Sequence, residues 1–195
     1  MKRVFILIAW VLLLLVAPGK SSAEEFKSGV FDPPRAAPDF TLQGSNGSPL
    51  MLGKLRGKVV VLAFGFTYCP KICPVTLARL AEVWKALGPA SSDVQAVFVT
   101  VDPERDTPAR LREFLEFFNP SFLGATDTEE KLDAVRDAYG VLATKAISEN
   151  KKLGYEVHHS SSIYLIDRQG KLRVLVPFGK KSDDILHDVK LLLKK

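Results

Sequence analysis

The chain has 195 residues, of which 25% are charged and 9% aromatic, and only two are cysteines. Its formal net charge is +5, but three of the 27 basic residues (Lys2, Arg3 and Lys20) and none of the 22 acidic residues precede Glu24. The remaining 24 basic and 22 acidic residues give a net charge of +2. The composition therefore offers no electrostatic basis for nucleic-acid binding, and two cysteines are too few for a disulfide-built scaffold.

The N-terminal sequence has the features of an export signal. Lys2 and Arg3 precede an apolar run from Val4 to Ala17, which is shorter than the roughly 20 residues that a membrane-spanning helix needs. Small residues follow, and we predict cleavage after Ala23, which assigns residues 1–23 to a signal peptide. The alternative is an uncleaved membrane anchor, since the run is strongly apolar. Both interpretations place the remaining chain in an exported compartment such as the periplasm.

The first half of the remaining chain indicates a linker followed by β-structure. Residues 24–38 are polar and interrupted by prolines, and we expect a linker or mobile arm there, before a domain at 39–195. Alternating residues then surround Asn46-Gly47, a dipeptide typical of a β-hairpin turn. The segment from Lys58 to Phe66 is rich in valine and apolar at nearly every position, which predicts a strand covered on both faces.

The two cysteines, Cys69 and Cys73, follow this strand directly within the sequence FTYCPKICP. From Pro74 to Leu87, apolar residues recur at helical spacing. We therefore expect the thiols between the end of a buried strand and the first turn of a helix.

The second half of the chain alternates strands with helices. Its predicted elements are a buried strand at 94–101, a helix with Thr107 as N-cap and Pro108 at its first position, a helix over 125–140 with Gly140 as its stop, two antiparallel strands flanking 168–170, and an amphipathic helix at 182–195. A strand–helix–strand connection makes a parallel pair, and the late strand pair is antiparallel. The order predicts an α/β thioredoxin-like fold, in which helices flank a central mixed sheet and a hairpin extends its N-terminal side.

The spacing of the cysteines permits two kinds of chemistry. Residues four apart on a helix lie on one face, about 5–6 Å apart between Cβ atoms, so the two sulfurs can converge on one ion or form a disulfide. A helix N-terminus also favours thiolate over thiol. A passive disulfide would close too short a loop to remove much unfolded-state entropy. Metal binding and dithiol exchange both remain open at this point.

Histidine placement favours a metal. His187 lies in the last predicted helix, beside Asp188, and is expected to be an ordinary surface or half-buried residue. His158 and His159 precede a core strand, and we expect them in a loop that can approach the thiols. Two thiolates and one imidazole suit three-coordinate Cu(I), whereas zinc normally takes a fourth protein ligand or keeps an open position. Copper is the better fit to these residues.

Three sequence blocks resemble the Sco/SenC family, thioredoxin-like proteins that deliver copper to cytochrome c oxidase. The blocks are LRGKVVVLAFGFTYCPKICP, VTVDPERDTPARLREF and YEVHHSSSIYLID, and the resemblance extends from about Ala37 to Phe178. It implies that Cys69 and Cys73 are thiolate ligands and a redox pair, and that His159 is the imidazole ligand.

The second block contains three charged residues whose roles the resemblance does not fix. Asp102 and Asp106 are interpreted as loop and capping residues in preference to residues beside the metal. Arg105 either orients this loop or contacts a partner. The chain also departs from the family pattern, because Lys71 stands where an acid is frequent and His158 replaces the usual aspartate before the ligand histidine.

The leading hypothesis is a non-enzymatic copper chaperone. It would receive copper from an upstream donor, or depend on a thiol reductant, and pass the metal to the copper-bearing subunit of cytochrome c oxidase. The alternative is a thiol–disulfide oxidoreductase that keeps the oxidase's copper-site cysteines reduced. A peroxiredoxin-like peroxidase, suggested by FTYCP, is disfavoured by the second cysteine only four residues away.

Overall fold

The computed structural model describes residues 25–147 and 154–194, and within them it contains ten β-strands, four α-helices and two short 3-10 helices. The strands are β1 (Gly29–Ala36), β2 (Thr41–Gly44), β3 (Pro49–Met51), β4 (Val59–Gly65), β5 (Val94–Thr100), β6 (Leu123–Thr126), β7 (Ala143–Ile147), β8 (Tyr155–His159), β9 (Ile163–Ile166) and β10 (Lys171–Val176). The helices are α1 (Ile72–Leu87), α2 (Pro108–Glu116), α3 (Glu129–Tyr139) and α4 (Ser182–Leu193), and the 3-10 helices are Leu52–Leu55 and Gly88–Asp93.

The predicted signal peptide and its cleavage site lie outside the described residues. Among the helices of the described ranges, none combines the length and the apolar character needed to cross a membrane. The boundary of the domain at residue 39 stays a prediction.

Eight strands form one mixed sheet, in the order β1-β10-β9-β4-β5-β6-β2-β3. β4, β5 and β6 are parallel, β9 pairs with β4 in antiparallel orientation, and β10 pairs with β9 in antiparallel orientation. The β2–β3 hairpin, whose connection contains Asn46-Gly47, pairs with β6 at one edge. β7 and β8 form a second sheet of two strands. This is the mixed α/β architecture with a hairpin extension that the sequence predicts.

The centre of the sheet is the core of the protein, and it determines where the cysteines lie. All seven residues of β4 and six of the seven in β5 are buried, as expected of strands covered on both faces. Helix α1 buries one face, made of Leu77, Leu80, Val83, Trp84 and Leu87. In the parallel register, Gly65 at the end of β4 pairs with Thr100 at the end of β5. The segments that follow these two strands therefore begin side by side.

The segment expected to be a linker contains β1, which pairs with β10 at the outer edge of the main sheet. Pro33 and Pro34 suggested a break in structure, but proline is tolerated in an edge strand, where no ladder hydrogen bond is required on the open side. The register shifts between Val30 and Arg35, so the irregularity spans the prolines. An edge strand of this kind is hard to distinguish from a linker by composition.

The prediction of a helix over residues 125–140 is wrong at its start. Ala125 and Thr126 belong to β6, and α3 begins at Glu129 with Thr128 as its N-cap. The helix ends before Gly140, which adopts a left-handed conformation at the C-cap as predicted. The strand was missed because four residues are too few to display an alternating pattern.

The expectation of a loop at His158 and His159 is also wrong. Both residues belong to β8, which pairs with β7 in antiparallel register. Most residues of these two strands are exposed or half-buried. Such strands lack the apolar alternation by which a strand is recognised in a sequence.

Candidate metal centre

Cys69 and Cys73 lie between the end of β4 and the first turn of α1, as the sequence predicts. The backbone N–H of Cys73 points at the Cys69 sulfur, with 3.4 Å between N and Sγ. The first N–H groups of a helix have no carbonyl partner within the helix. The Cys69 sulfur therefore lies at the end of the helix where negative charge is favoured.

Gly65, the last residue of β4, makes room for the Cys73 side chain. A Cβ atom at this position would lie 2.7 Å from the Cys73 sulfur and 2.6 Å from a ring carbon of Phe98. Both separations are far shorter than ordinary van der Waals contact. The lack of a side chain at Gly65 thus allows the sulfur to pack against the end of the strand.

The third candidate ligand, His159, reaches the thiols from the end of β8. Its Nε2 lies 3.7 Å from the Cys73 sulfur. Its Nδ1 lies 2.8 Å from the carbonyl oxygen of Ser160 and donates its hydrogen there, because a carbonyl can only accept. This hydrogen bond leaves the Nε2 lone pair free to bind a metal. The Phe66 ring meets the imidazole edge to face at 5.8 Å.

The adjacent histidine, His158, points the other way. Successive side chains of a strand alternate between its two faces. His158 is exposed, while His159 is half-buried against the thiols. His187 lies in α4, where its Nδ1 is 3.1 Å from a carboxylate oxygen of Asp188, in the half-buried setting that the sequence indicates.

The structure brings Cys69, Cys73 and His159 together into one cluster. Two sulfurs and one imidazole nitrogen all lie within 4.8 Å of one another. Both cysteines are buried free thiols. Among residues 25–147 and 154–194, this is the one group of three or more Cys, His, Asp and Glu side chains arranged to hold a metal ion. A donor set of two soft sulfurs and one imidazole fits Cu(I).

The two thiols titrate as a coupled pair. The Cys73 thiol donates a hydrogen bond to the Cys69 sulfur, which lowers the pKa of Cys69 well below that of an ordinary thiol despite the opposing effect of burial. The same hydrogen bond, together with burial, raises the pKa of Cys73. One proton therefore stays between the two sulfurs while the other is readily lost. Lys71 contributes through its backbone N–H.

Asp106 anchors the cysteine loop, the segment between β4 and α1 that carries Cys69. Its carboxylate is fully buried and accepts hydrogen bonds from the Thr67 N–H at 3.0 Å, the Thr67 hydroxyl at 2.6 Å and the Thr100 hydroxyl at 2.7 Å. Thr67 precedes Cys69 by two residues, and Thr100 ends β5. This agrees with the interpretation of Asp106 as a loop residue. It lies outside the ligand cluster.

A cleft of about 520 Å³ opens beside Cys69. Its walls include residues 68–72 of the cysteine loop and residues 155–159 of β8. Tyr68 and Ile72, at the mouth of the cleft, are 48% and 37% exposed. Of the two sulfur-bearing residues, Cys69 lines this cleft, so it is the thiol that faces an approaching molecule.

Sequence reasoning singled out Asp102 and Arg105 as loop residues but missed their partner Tyr155 beside the site. Tyr155 lies at the start of β8, and its ring stacks on the guanidinium of Arg105, with 3.9 Å from Cζ to the ring centroid. Its hydroxyl donates to the buried carboxylate of Asp102 at 2.6 Å. An aromatic residue four positions before His159 was the available signal, but its partners lie some 50 residues earlier in the chain.

Comparison with known proteins gives a consistent result. The SCO1/SenC family model matches residues 31–194. The SCO2-like protein RC0895 of Rickettsia conorii is 39% identical over 133 residues, which are 68% of this chain. The matched segment spans 65% of the length of that relative.

Solved structures match over a similar extent. The crystal structure of Arabidopsis thaliana ScoI with copper bound superposes with a TM-score of 0.75, at 31% identity over 82% of this chain and 99% of that chain. BsSco, described as a member of the Sco family of cytochrome c oxidase assembly proteins with a disulfide switch, gives a TM-score of 0.64 at 27% identity, over 83% and 96% of the two chains. These matches confirm the thioredoxin-like fold that the sequence predicts.

Proposed function

This chain belongs to the SCO1/SenC family, and we propose that it carries copper to the dinuclear copper site of cytochrome c oxidase. The proposed ligands are Cys69, Cys73 and His159. The observation that carries the proposal is the convergence of their three ligand atoms within 4.8 Å. The copper bound to the Arabidopsis relative and the oxidase assembly role stated for BsSco support the same assignment.

Copper is the cargo of this proposed reaction, so release matters as much as binding. A thiolate from the acceptor would enter through the cleft beside Cys69 and replace one ligand at a time, with no net change of oxidation state. Cys69 suits this exchange because it lines the cleft and its pKa is lowered, so it is a thiolate that needs no deprotonation before binding the metal. We also propose an exported location, as the N-terminal sequence predicts.

The copper stoichiometry of the reduced protein tests the proposal. Wild-type protein is expected to retain about one Cu(I) per chain, and Cys69→Ser, Cys73→Ser and His159→Ala are each expected to lose it or bind it far more weakly. His158→Ala is the matched control, because it removes the neighbouring imidazole from the exposed face of the same strand. Equal copper retention by wild type and His159→Ala would overturn the three-ligand site.

Thiol–disulfide exchange is the second candidate function, and the hydrogen bond between the two thiols favours it. The Cys69 thiolate would attack a disulfide of the acceptor and form a mixed disulfide. The Cys73 sulfur would then attack Cys69, releasing the acceptor as a dithiol and leaving a Cys69–Cys73 disulfide. An upstream dithiol would have to reduce this disulfide for another cycle.

The two functions differ in their dependence on the imidazole. Exchange with a model disulfide should survive His159→Ala, since only sulfur atoms form and break bonds. Copper retention should not survive it. A His159→Ala protein that still reduces disulfides but holds no copper would show that both chemistries are available to the same pair of thiols.

A further inference from the structure

His159 belongs to a different structural unit from the two cysteines. Cys69 and Cys73 follow β4, at the centre of the eight-stranded sheet, whereas His159 ends a strand of the separate two-stranded sheet. No ladder of backbone hydrogen bonds within the described residues joins the two sheets. The distance from the imidazole to the sulfurs therefore depends on the short link from His159 to β9, which pairs with β4, and on side-chain contacts between β8 and the segments that follow β4 and β5.

Tyr155 makes such contacts at the opposite end of β8. Residues 155, 157 and 159 share one face of the strand, so Tyr155 and His159 point to the same side. The Tyr155 hydroxyl donates to Asp102 Oδ1 at 2.6 Å, and its backbone carbonyl accepts from Arg105 Nη1 at 3.3 Å. Burial and the Asp102 carboxylate raise the pKa of the Tyr155 hydroxyl, so it remains a donor at neutral pH.

Asp102 and Arg105 connect this tyrosine to the cysteine side of the cleft. Asp102 lies two residues after the end of β5 and is fully buried, and its second carboxylate oxygen accepts from Arg105 Nε. The Arg105 guanidinium lies 5.0 Å from the ring centroid of Tyr68, the residue before Cys69. The Asp102–Arg105–Tyr155 cluster thus contacts both segments that carry candidate ligands.

The β7–β8 hairpin has a second polar anchor, which is expected to contribute less to holding these strands in place. Lys145 of β7 pairs with Glu104 at 2.8 Å and with Glu129 at 3.5 Å. These side chains are 33%, 61% and 44% exposed, and ion pairs so exposed contribute little to stability. A short hydrogen bond to a buried carboxylate is stronger, because water does not compete for it. Tyr155 is therefore the stronger of these two polar anchors.

We propose that Tyr155 is a positioning residue for the metal site, and that its hydrogen bond to Asp102 sets the distance of the His159 imidazole from the two thiols. The inference rests on the proposed binding of copper by Cys69, Cys73 and His159. Tyr155 would not touch the metal itself. Residues that hold a ligand in place typically change metal affinity by 10–100-fold when they are replaced.

Tyr155→Phe is the informative variant, because it keeps the ring on Arg105 and removes only the hydroxyl. Tyr139→Phe is the matched control, because its hydroxyl donates to the Pro38 carbonyl at 2.8 Å and not to a residue of this cluster. The first measurement needs no metal. In the reduced apo protein, Tyr155→Phe should speed amide hydrogen exchange in residues 143–147 and 155–159, the strands β7 and β8. The exchange rates of β4 should stay unchanged. Tyr139→Phe should not affect this hairpin.

The second measurement is the Cu(I) dissociation constant of the same proteins. Tyr155→Phe should raise it by about tenfold and weaken the spectroscopic signature of imidazole coordination. In a His159→Ala background, Tyr155→Phe should add no further loss of affinity, because its effect operates through that ring.

The two measurements separate failure of the inference from failure of the proposed function. If His159→Ala weakens copper binding and Tyr155→Phe changes neither hairpin exchange nor affinity, the positioning role is excluded. An unchanged affinity in His159→Ala would exclude the proposed copper site itself. The same affinity loss in Tyr139→Phe would mean that Tyr155 acts through general stability, and would also overturn the proposal.

Discussion

The Nε2 atom of His159 lies 3.7 Å from the sulfur of Cys73, although 86 residues separate them in the chain. Each partner is fixed by its own neighbours. Cys73 lies in the first turn of α1 against Gly65, and His159 is oriented by the hydrogen bond from its Nδ1 to Ser160. The ligand cluster is therefore assembled from two parts of the fold that are each already ordered.

Gly65→Ala should displace the Cys73 sulfur, because the added methyl group would lie 2.7 Å from it. Overpacking of this kind costs about 1–3 kcal/mol of unfolding free energy. Copper retained per folded molecule should also fall, which equilibrium dialysis of the reduced protein would measure. Gly124→Ala is the control, since its methyl group would lie 2.8 Å from Leu111 instead. It should lower stability and spare copper binding, and equal copper loss in both variants would contradict the prediction.

The reduced protein should carry about one thiolate per molecule well below the ordinary pKa of a thiol, since the first proton of the coupled pair is easily lost. The thiolate absorbance in the ultraviolet, followed from acid to alkaline pH, measures this. Cys73→Ala removes the thiol that donates to Cys69 and should move the pKa of Cys69 upward. Lys71→Ala should leave it in place, because the backbone N–H remains. A large upward shift in Lys71→Ala would mean that the ammonium group stabilises the thiolate.

The same lowered pKa predicts the pH dependence of stability. The pKa of Cys69 is lower in the folded protein than in the unfolded chain. Its ionisation thus stabilises the reduced fold fully above the unfolded-state pKa, and this contribution is lost as pH falls through the folded-state pKa. Urea unfolding of wild type and Cys69→Ser at several pH values below the unfolded-state pKa would isolate it, because Cys73 stays protonated over that range. If the unfolding free energies of the two proteins change with pH in the same way, no such contribution exists.

Asp106→Asn should destabilise the protein and loosen the cysteine loop. Three buried donor groups from Thr67 and Thr100 point at this carboxylate, and an amide offers them one oxygen instead of two. An unsatisfied buried donor costs about 1–3 kcal/mol. Asp93→Asn, at an exposed ion pair with Arg168, should cost under about 1 kcal/mol. Similar midpoints of urea unfolding for the two variants would argue against this role for Asp106.

Oxidation should prevent copper binding. A disulfide reagent that converts the two thiols into a Cys69–Cys73 disulfide removes two of the three proposed ligands, and the reagent is reduced to its thiol form. Copper retention should then fall to background and return after treatment with a dithiol. Mass spectrometry after alkylation reports the oxidation state of each sample. Undiminished copper in the fully oxidised protein would exclude the thiolates as ligands.

The central part of the fold could be predicted from the sequence because its signals are local. The unbroken apolar run of β4 indicated a doubly covered strand, and α1 shows regular helical spacing. The two cysteines lie between these elements, so their position followed from the order of the elements alone. The capping residues Thr107 and Gly140 were similarly visible, because caps depend on neighbouring residues.

The rest of the site could not be predicted because it depends on contacts distant in sequence. Nothing local in β8 marks it as a strand, and its pairing with β7 is what places His159 inward and His158 outward. The stacking of Tyr155 on Arg105 joins residues 50 positions apart. Resemblance to a family indicated which histidine to choose, whereas the physical reason for that choice is the alternation of the strand.

The pairing of β1 with β10 has a practical consequence for expression of the protein. A recombinant fragment that starts at residue 39, where composition suggests that the domain begins, would lack β1. The backbone N–H and C=O groups along the outer side of β10 would then be open to solvent and to other molecules. Such a fragment is expected to self-associate through that exposed strand, whereas one that starts at residue 25 keeps its own edge covered.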